Sequence, residues 1–82
     1  MIFLLEYNRR ESRLVTFRPF SDAQRGAANQ QRLELELDLN RRGVDHEVVI
    51  LEAADEAALK RTHGRYFPDG IELLRPDSFL TN

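Results

Sequence analysis

Short apolar runs alternate with polar segments along this chain and predict three strands. Ile2 to Tyr7 is almost continuously apolar, which is typical of a strand that is buried on both faces. Residues 13–18 alternate between apolar and polar side chains, so they predict a half-exposed edge strand that ends before Pro19. Residues 46–51 are again apolar on both faces. Because only the short polar turn 8–12 separates the first two strands, we expect them to form a hairpin.

Residues 21–42 fit two patterns, and the helical one is favoured. The leucines of residues 33–39 alternate with acidic residues, as in a half-buried strand. Leucine and glutamate are nevertheless strong helix formers, and the flanks carry helix signals. Ser21 can begin a capping box that Gln24 completes, and Gly43 can adopt the left-handed conformation that ends a helix. The sequence therefore predicts a helix over residues 21–42.

On a helix with about 100° per residue, these leucines divide into two stripes. Leu33 and Leu37 share one face, which we expect to pack on the sheet. Leu35 and Leu39 lie nearly opposite, with Ala28 between them in angle. A helix that only packs on a sheet needs a single apolar stripe. We therefore predict that Leu35, Leu39 and Ala28 form a protein interface.

The rest of the pattern completes a ββαβα order. Residues 53–63 are rich in alanine, with acids in the first turn and bases in the last, and they predict a short helix that Gly64 ends. The two doubly apolar strands should be neighbours, which gives an α+β fold with a three-stranded, mostly antiparallel sheet of order 2-1-3. We expect both helices on one face, so that only the tail is left to cover the other. The predicted parts of this single domain are hairpin 2–18, helix 21–42, strand 46–51, helix 53–63 and an irregular tail 64–82.

Composition limits the class of protein. A chain of 82 residues makes one small domain, which hides only roughly 60–65% of its unfolded surface. The absence of cysteine excludes disulfides and favours a reducing cytoplasm. No apolar run approaches the ~20 residues of a membrane span, so we expect no membrane partner. Eleven of the twelve basic residues are arginine, which fits a GC-rich bacterial genome.

Neither metal binding nor catalysis is predicted. His46 and His63 are the only histidines. The nearby acids Asp45, Glu47 and Asp69 do not complete a known spacing of metal ligands. The chain also has no glycine-rich phosphate loop, and its serines have turn or cap explanations. We therefore expect no metal, no cofactor and no enzyme activity.

Two polar groups remain as candidate contacts. Arg9, Arg10 and Arg13 lie at the predicted hairpin tip and could contact phosphates or an acidic partner, although a solvated turn is the favoured interpretation.

His63, Arg65 and Tyr66 share one loop, and such loops can be recognition sites. The favoured alternative is that Tyr66 and Phe67 close the bottom of the core, with the tyrosine hydroxyl at the surface.

The sequence therefore favours a small, non-catalytic protein-interaction module. Its partner would be itself, in a homodimer, or another protein of a larger bacterial complex. The alternative is a nucleic-acid-binding accessory or regulatory protein that uses the arginine-rich hairpin. Added salt would separate the two, because it weakens phosphate binding steeply and apolar association little.

Overall fold

A computed structural model describes residues 1–67, which form a three-stranded sheet with helices against it. Its elements, in chain order, are β1 (Ile2–Asn8), β2 (Arg13–Phe20), α1 (Arg25–Arg42), β3 (Glu47–Glu52) and α2 (Glu56–Thr62). Short 3-10 turns cover Asp22–Gln24, before α1, and Gly64–Tyr66, after α2. The predicted tail beyond residue 67 lies outside the described residues.

The predicted α+β class and strand order are confirmed. β1 lies in the centre and pairs antiparallel with both β2 and β3, in the order β2-β1-β3. Pro19 lies within β2, opposite Phe3, and β2 continues to Phe20. Proline is tolerated there because β2 is an edge strand in the described sheet, where a missing donor is not needed. Near the hairpin tip Val15 has no partner, since Glu6 pairs with Thr16 and Tyr7 with Leu14.

The helices lie on opposite faces of the sheet, so the prediction that both cover one face is wrong. Successive residues of a strand point to opposite faces. Phe3, Leu5 and Tyr7 of β1 cluster with Leu59 of α2 and with Tyr66 and Phe67. Their neighbours Ile2 and Leu4 cluster with Phe20 and with Ala28 of α1. A central strand that is apolar on both faces requires a covering layer on each, and two helices on one face leave the other in water.

The helix through the alternating leucines is confirmed, and so are its end signals. The backbone N–H of Ser21 donates to the side-chain oxygen of Gln24 at 2.9 Å. Gly43 adopts the left-handed conformation at φ 70°, and its N–H donates to the carbonyl of Asn40 at 3.2 Å. The first turn is 3-10, so α1 begins at Arg25. Local propensity and caps therefore outweigh a two-residue alternation over seven positions.

Candidate interaction site

The outer face of α1 carries two half-exposed leucines. Leu33 is 48% exposed and Leu37 is 51% exposed, whereas Leu39 is 3% exposed and Ala28 is fully buried. Leu35 is partly buried. The predicted interface of Leu35, Leu39 and Ala28 is therefore wrong, because these residues lie on the side of the helix that packs on the sheet. The stripe of Leu33 and Leu37, which was expected to pack on the sheet, faces outwards instead.

Polar contacts on both sides of the helix accompany this orientation. Arg25 forms an ion pair with Glu52 at the end of β3. Gln31 accepts a hydrogen bond from Arg18 of β2 at 2.8 Å. At about 100° per residue, Arg25 and Gln31 lie about 60° on either side of Ala28. The small side chain of Ala28, which lies between them, faces the sheet and packs with Ile2, Leu4 and Phe20.

Charged residues flank the two exposed leucines, and they differ in whether they have a partner within the described residues. Glu34 accepts a hydrogen bond from Gln30 at 3.2 Å, one turn earlier in the helix. Arg42 pairs with Asp38 at 2.9 Å, again within the helix. Within residues 1–67, Arg41 makes no hydrogen bond or ion pair. The face thus combines apolar contact area with a cation that has no partner in the described chain.

The hairpin arginines do not converge on a common site. Arg9 lies 3.5 Å from Asp45, and Arg13 lies 3.3 Å from Glu11. Arg10 has no ion pair within the described part of the chain. Both observed pairs are largely exposed, so each contributes little stability. Two of the three cations nevertheless lie beside an acid, which lowers the positive potential that phosphate binding needs.

The loop of His63, Arg65 and Tyr66 has a structural role. Tyr66 is buried at 4% exposure, packs edge-on against Tyr7 with 5.3 Å between ring centroids, and donates its hydroxyl to Glu47 at 2.6 Å. Arg65 lies 4.2 Å from the Tyr66 ring centroid and pairs with the same carboxylate. Burial and the hydrogen bond to Glu47 raise the pKa of Tyr66. The expectation that Tyr66 closes the core is confirmed, and its buried ring is not available as a recognition residue.

A buried polar cluster is the feature that sequence reasoning missed. Glu6 is 5% exposed, accepts from the Thr16 hydroxyl at 2.7 Å, and lies 2.6 Å from Nδ1 of His46. The available signal was a glutamate within the apolar run of β1, because a buried carboxylate requires partners. His46 also lies between two surface depressions of about 210 and 300 Å³, which share Val44.

Catalysis would require more than the contact between Glu6 and His46. A histidine oriented by a carboxylate can act as a base, but it needs a nucleophile or substrate group within reach. Neither depression is lined by a described serine, threonine or tyrosine. No group of three histidine or carboxylate side chains in residues 1–67 could hold a metal ion. Asp69, one of the acids considered from the sequence, lies outside the described residues.

No helix in residues 1–67 is long and apolar enough to cross a membrane. No protein-family model, curated protein or solved structure matches this chain. A functional proposal must therefore rest on the chain's own surface.

Proposed function

We propose that this protein is a small, non-catalytic interaction module that associates through the outer face of α1. The observation that carries the proposal is the exposure of Leu33 and Leu37, about half of each side chain. They are four residues apart in one helix, so they are neighbours on its surface. Together they form one apolar patch on the outermost layer of this face of the sheet.

The second face of the sheet gives no further argument for association. The sheet face that the sequence left uncovered packs against α2 and the Tyr66–Phe67 segment. The proposal therefore rests on the helix alone. Full burial of a leucine stabilises by about 1.5–3 kcal/mol, so covering two half-exposed leucines contributes roughly that amount in total per copy.

Nucleic-acid binding through Arg9, Arg10 and Arg13 is the second candidate, with less support. Two of these arginines face acids in the fold, and only Arg10 is without an ion pair in the described residues. For localisation we propose a reducing, bacterial cytoplasm, on the basis of a chain without cysteine that prefers arginine to lysine.

The test is the native mass of the full chain at high micromolar concentration, or the retention of a purified partner. The Leu33→Glu, Leu37→Glu double variant should remain folded, because both side chains are half exposed, and it should lose association. Val15→Glu is the matched control, since Val15 is 44% exposed but lies on β2. It should leave association unchanged.

Two results would contradict this proposal. One is a double variant that associates as the wild type does, because the apolar patch would then carry no binding. The other is binding to a nucleic acid that disappears at moderate salt and depends on Arg10. That result would favour the nucleic-acid candidate.

A further inference from the structure

The outer face of α1 can be assigned an occupant, on the assumption that the proposed function holds. We infer that Leu33 and Leu37 are covered by α1 of a second copy of this chain, antiparallel and related by a two-fold axis beside Leu37. In such an arrangement the same patch on both copies forms the interface, so the patch must be complementary to itself.

The leucines meet this requirement. With the axis at Leu37, the two Leu37 side chains meet, and Leu33 lies level with the second copy's Arg41. The aliphatic stem of an arginine can cover apolar surface while its charged end stays in water. Arg41 makes no hydrogen bond or ion pair in residues 1–67, so it is free to do so.

The charges beside the leucines select the antiparallel direction. Glu34 and Arg41 lie on the same side of the Leu33–Leu37 line, at about 80° and 60° from it by helical geometry. The two-fold axis places the flank that carries Glu34 and Arg41 on the same side of the interface in both copies. The second copy's Arg41 then lies within about 1.5 Å along the axis from the level of Glu34. Symmetry forms this ion pair twice, whereas a parallel pair would align like charges.

The chain's own tail is a poorer occupant because of where it begins. Phe67 packs in the cluster on the sheet face opposite α1. From there, an occupant must pass the sheet and the full diameter of a helix, about 10–12 Å, to reach the outer face of α1. A second copy needs no such path, because it reaches the outer face of α1 directly from solution.

The contact is small, so we expect a weak dimer. A stable interface buries about 1,600 Å² in total, and one pair of half-overlapping helices provides less. Measurement must therefore reach the high micromolar range, at low ionic strength so that the ion pairs are not screened.

The experiment is a charge exchange in the full chain, followed by sedimentation equilibrium. Glu34→Arg alone and Arg41→Glu alone should each weaken self-association roughly ten-fold, because each places like charges together twice. An equimolar mixture of the two variants should regain association, since both ion pairs are then of opposite sign. The variant that carries both changes should self-associate as the wild type does. Glu36→Arg, on the other side of the leucine line, is the matched control. Glu36 lies beside Glu36 of the second copy in this arrangement, so the change replaces one like-charge contact by another and should have little effect.

The outcomes separate this inference from the proposed function. If Leu33→Glu, Leu37→Glu abolishes association but neither charge variant weakens it, the antiparallel second copy is wrong and the interaction module stands. A wild type that is monomeric at high micromolar concentration, yet binds a purified partner through the same leucines, also overturns the second copy alone. Both are overturned if the wild type does not dimerise and the Leu33→Glu, Leu37→Glu variant still retains any partner that the wild type binds.

Discussion

The imidazole of His46 lies 2.6 Å from the carboxylate of Glu6, across 40 residues of sequence. Glu6 is the one buried charged side chain in the described part of the chain, and the Thr16 hydroxyl bonds its other oxygen. The three residues join the start of β3 to β1 and β2. They satisfy a carboxylate that would otherwise be costly to bury.

The effects of removing the histidine and the glutamate should therefore not be additive. His46→Leu leaves one buried oxygen of Glu6 without its partner, and we expect a loss of about 1–3 kcal/mol in the free energy of unfolding. Glu6→Leu together with His46→Leu should lose less than the sum of the two single changes. Urea unfolding of the three variants and the wild type measures this coupling. Strict additivity would show that the two side chains do not stabilise one another.

Stability should fall in alkaline solution because of Tyr66. Burial, with the hydrogen bond to Glu47, raises its pKa above the usual value of about 10. The folded state thus holds the phenolic proton at a pH where the unfolded chain releases it. The stabilisation is fully present below pH of about 10 and is lost as the pH rises through the folded-state pKa. Unfolding free energies from pH 8 to about 11 should show this decline, and it should be smaller in Tyr66→Phe.

The elements of this fold were predictable because their signals are local. The apolar run of β1 indicates burial on both faces, and the capping residues at Ser21 and Gly43 bound the helix. The orientation of α1 was not predictable in this way. Its two leucine stripes are similar in apolar content, and packing between residues distant in sequence, such as Ala28 against Leu4 and Phe20, selects between them.

The missed polar cluster has a different physical cause. The position of Glu6 in an apolar strand indicates that it needs a partner. The partner is set by strand pairing, which brings the segment before β3 beside β1. Sequence spacing carries no record of a contact over 40 residues, so His46 could be found only from the structure.

Two glycines next to or within α1 should respond oppositely to alanine. Gly26 has no heavy atom within 4 Å of an added Cβ, so Gly26→Ala should stabilise by roughly 0.5–1 kcal/mol through helix propensity. Gly43 has a φ of 70°, and Gly43→Ala should destabilise by about 1 kcal/mol because an L side chain is strained there. Thermal unfolding measures both changes. A destabilised Gly26→Ala would indicate that this position packs closely against another surface.

The reversal of the two leucine stripes gives the sharpest prediction about the fold. Leu39 is 3% exposed, its carbonyl accepts from the backbone N–H of Val44 at 2.9 Å, and its side chain lies beside the start of β3. Leu39→Ala should therefore leave a cavity and cost about 2–5 kcal/mol in the free energy of unfolding. Leu33→Ala is the same chemical change in the same helix, at a site that is 48% exposed.

For Leu33→Ala we expect a change of roughly 0.5 kcal/mol or less, because water already covers half of the side chain. Both variants should be unfolded in urea at low micromolar concentration, where a weak dimer is dissociated. The difference between them then reports the orientation of α1 within a single chain. Equal losses, or a larger loss at Leu33, would show that α1 packs on the sheet through the opposite stripe, and would remove the basis for association through Leu33 and Leu37.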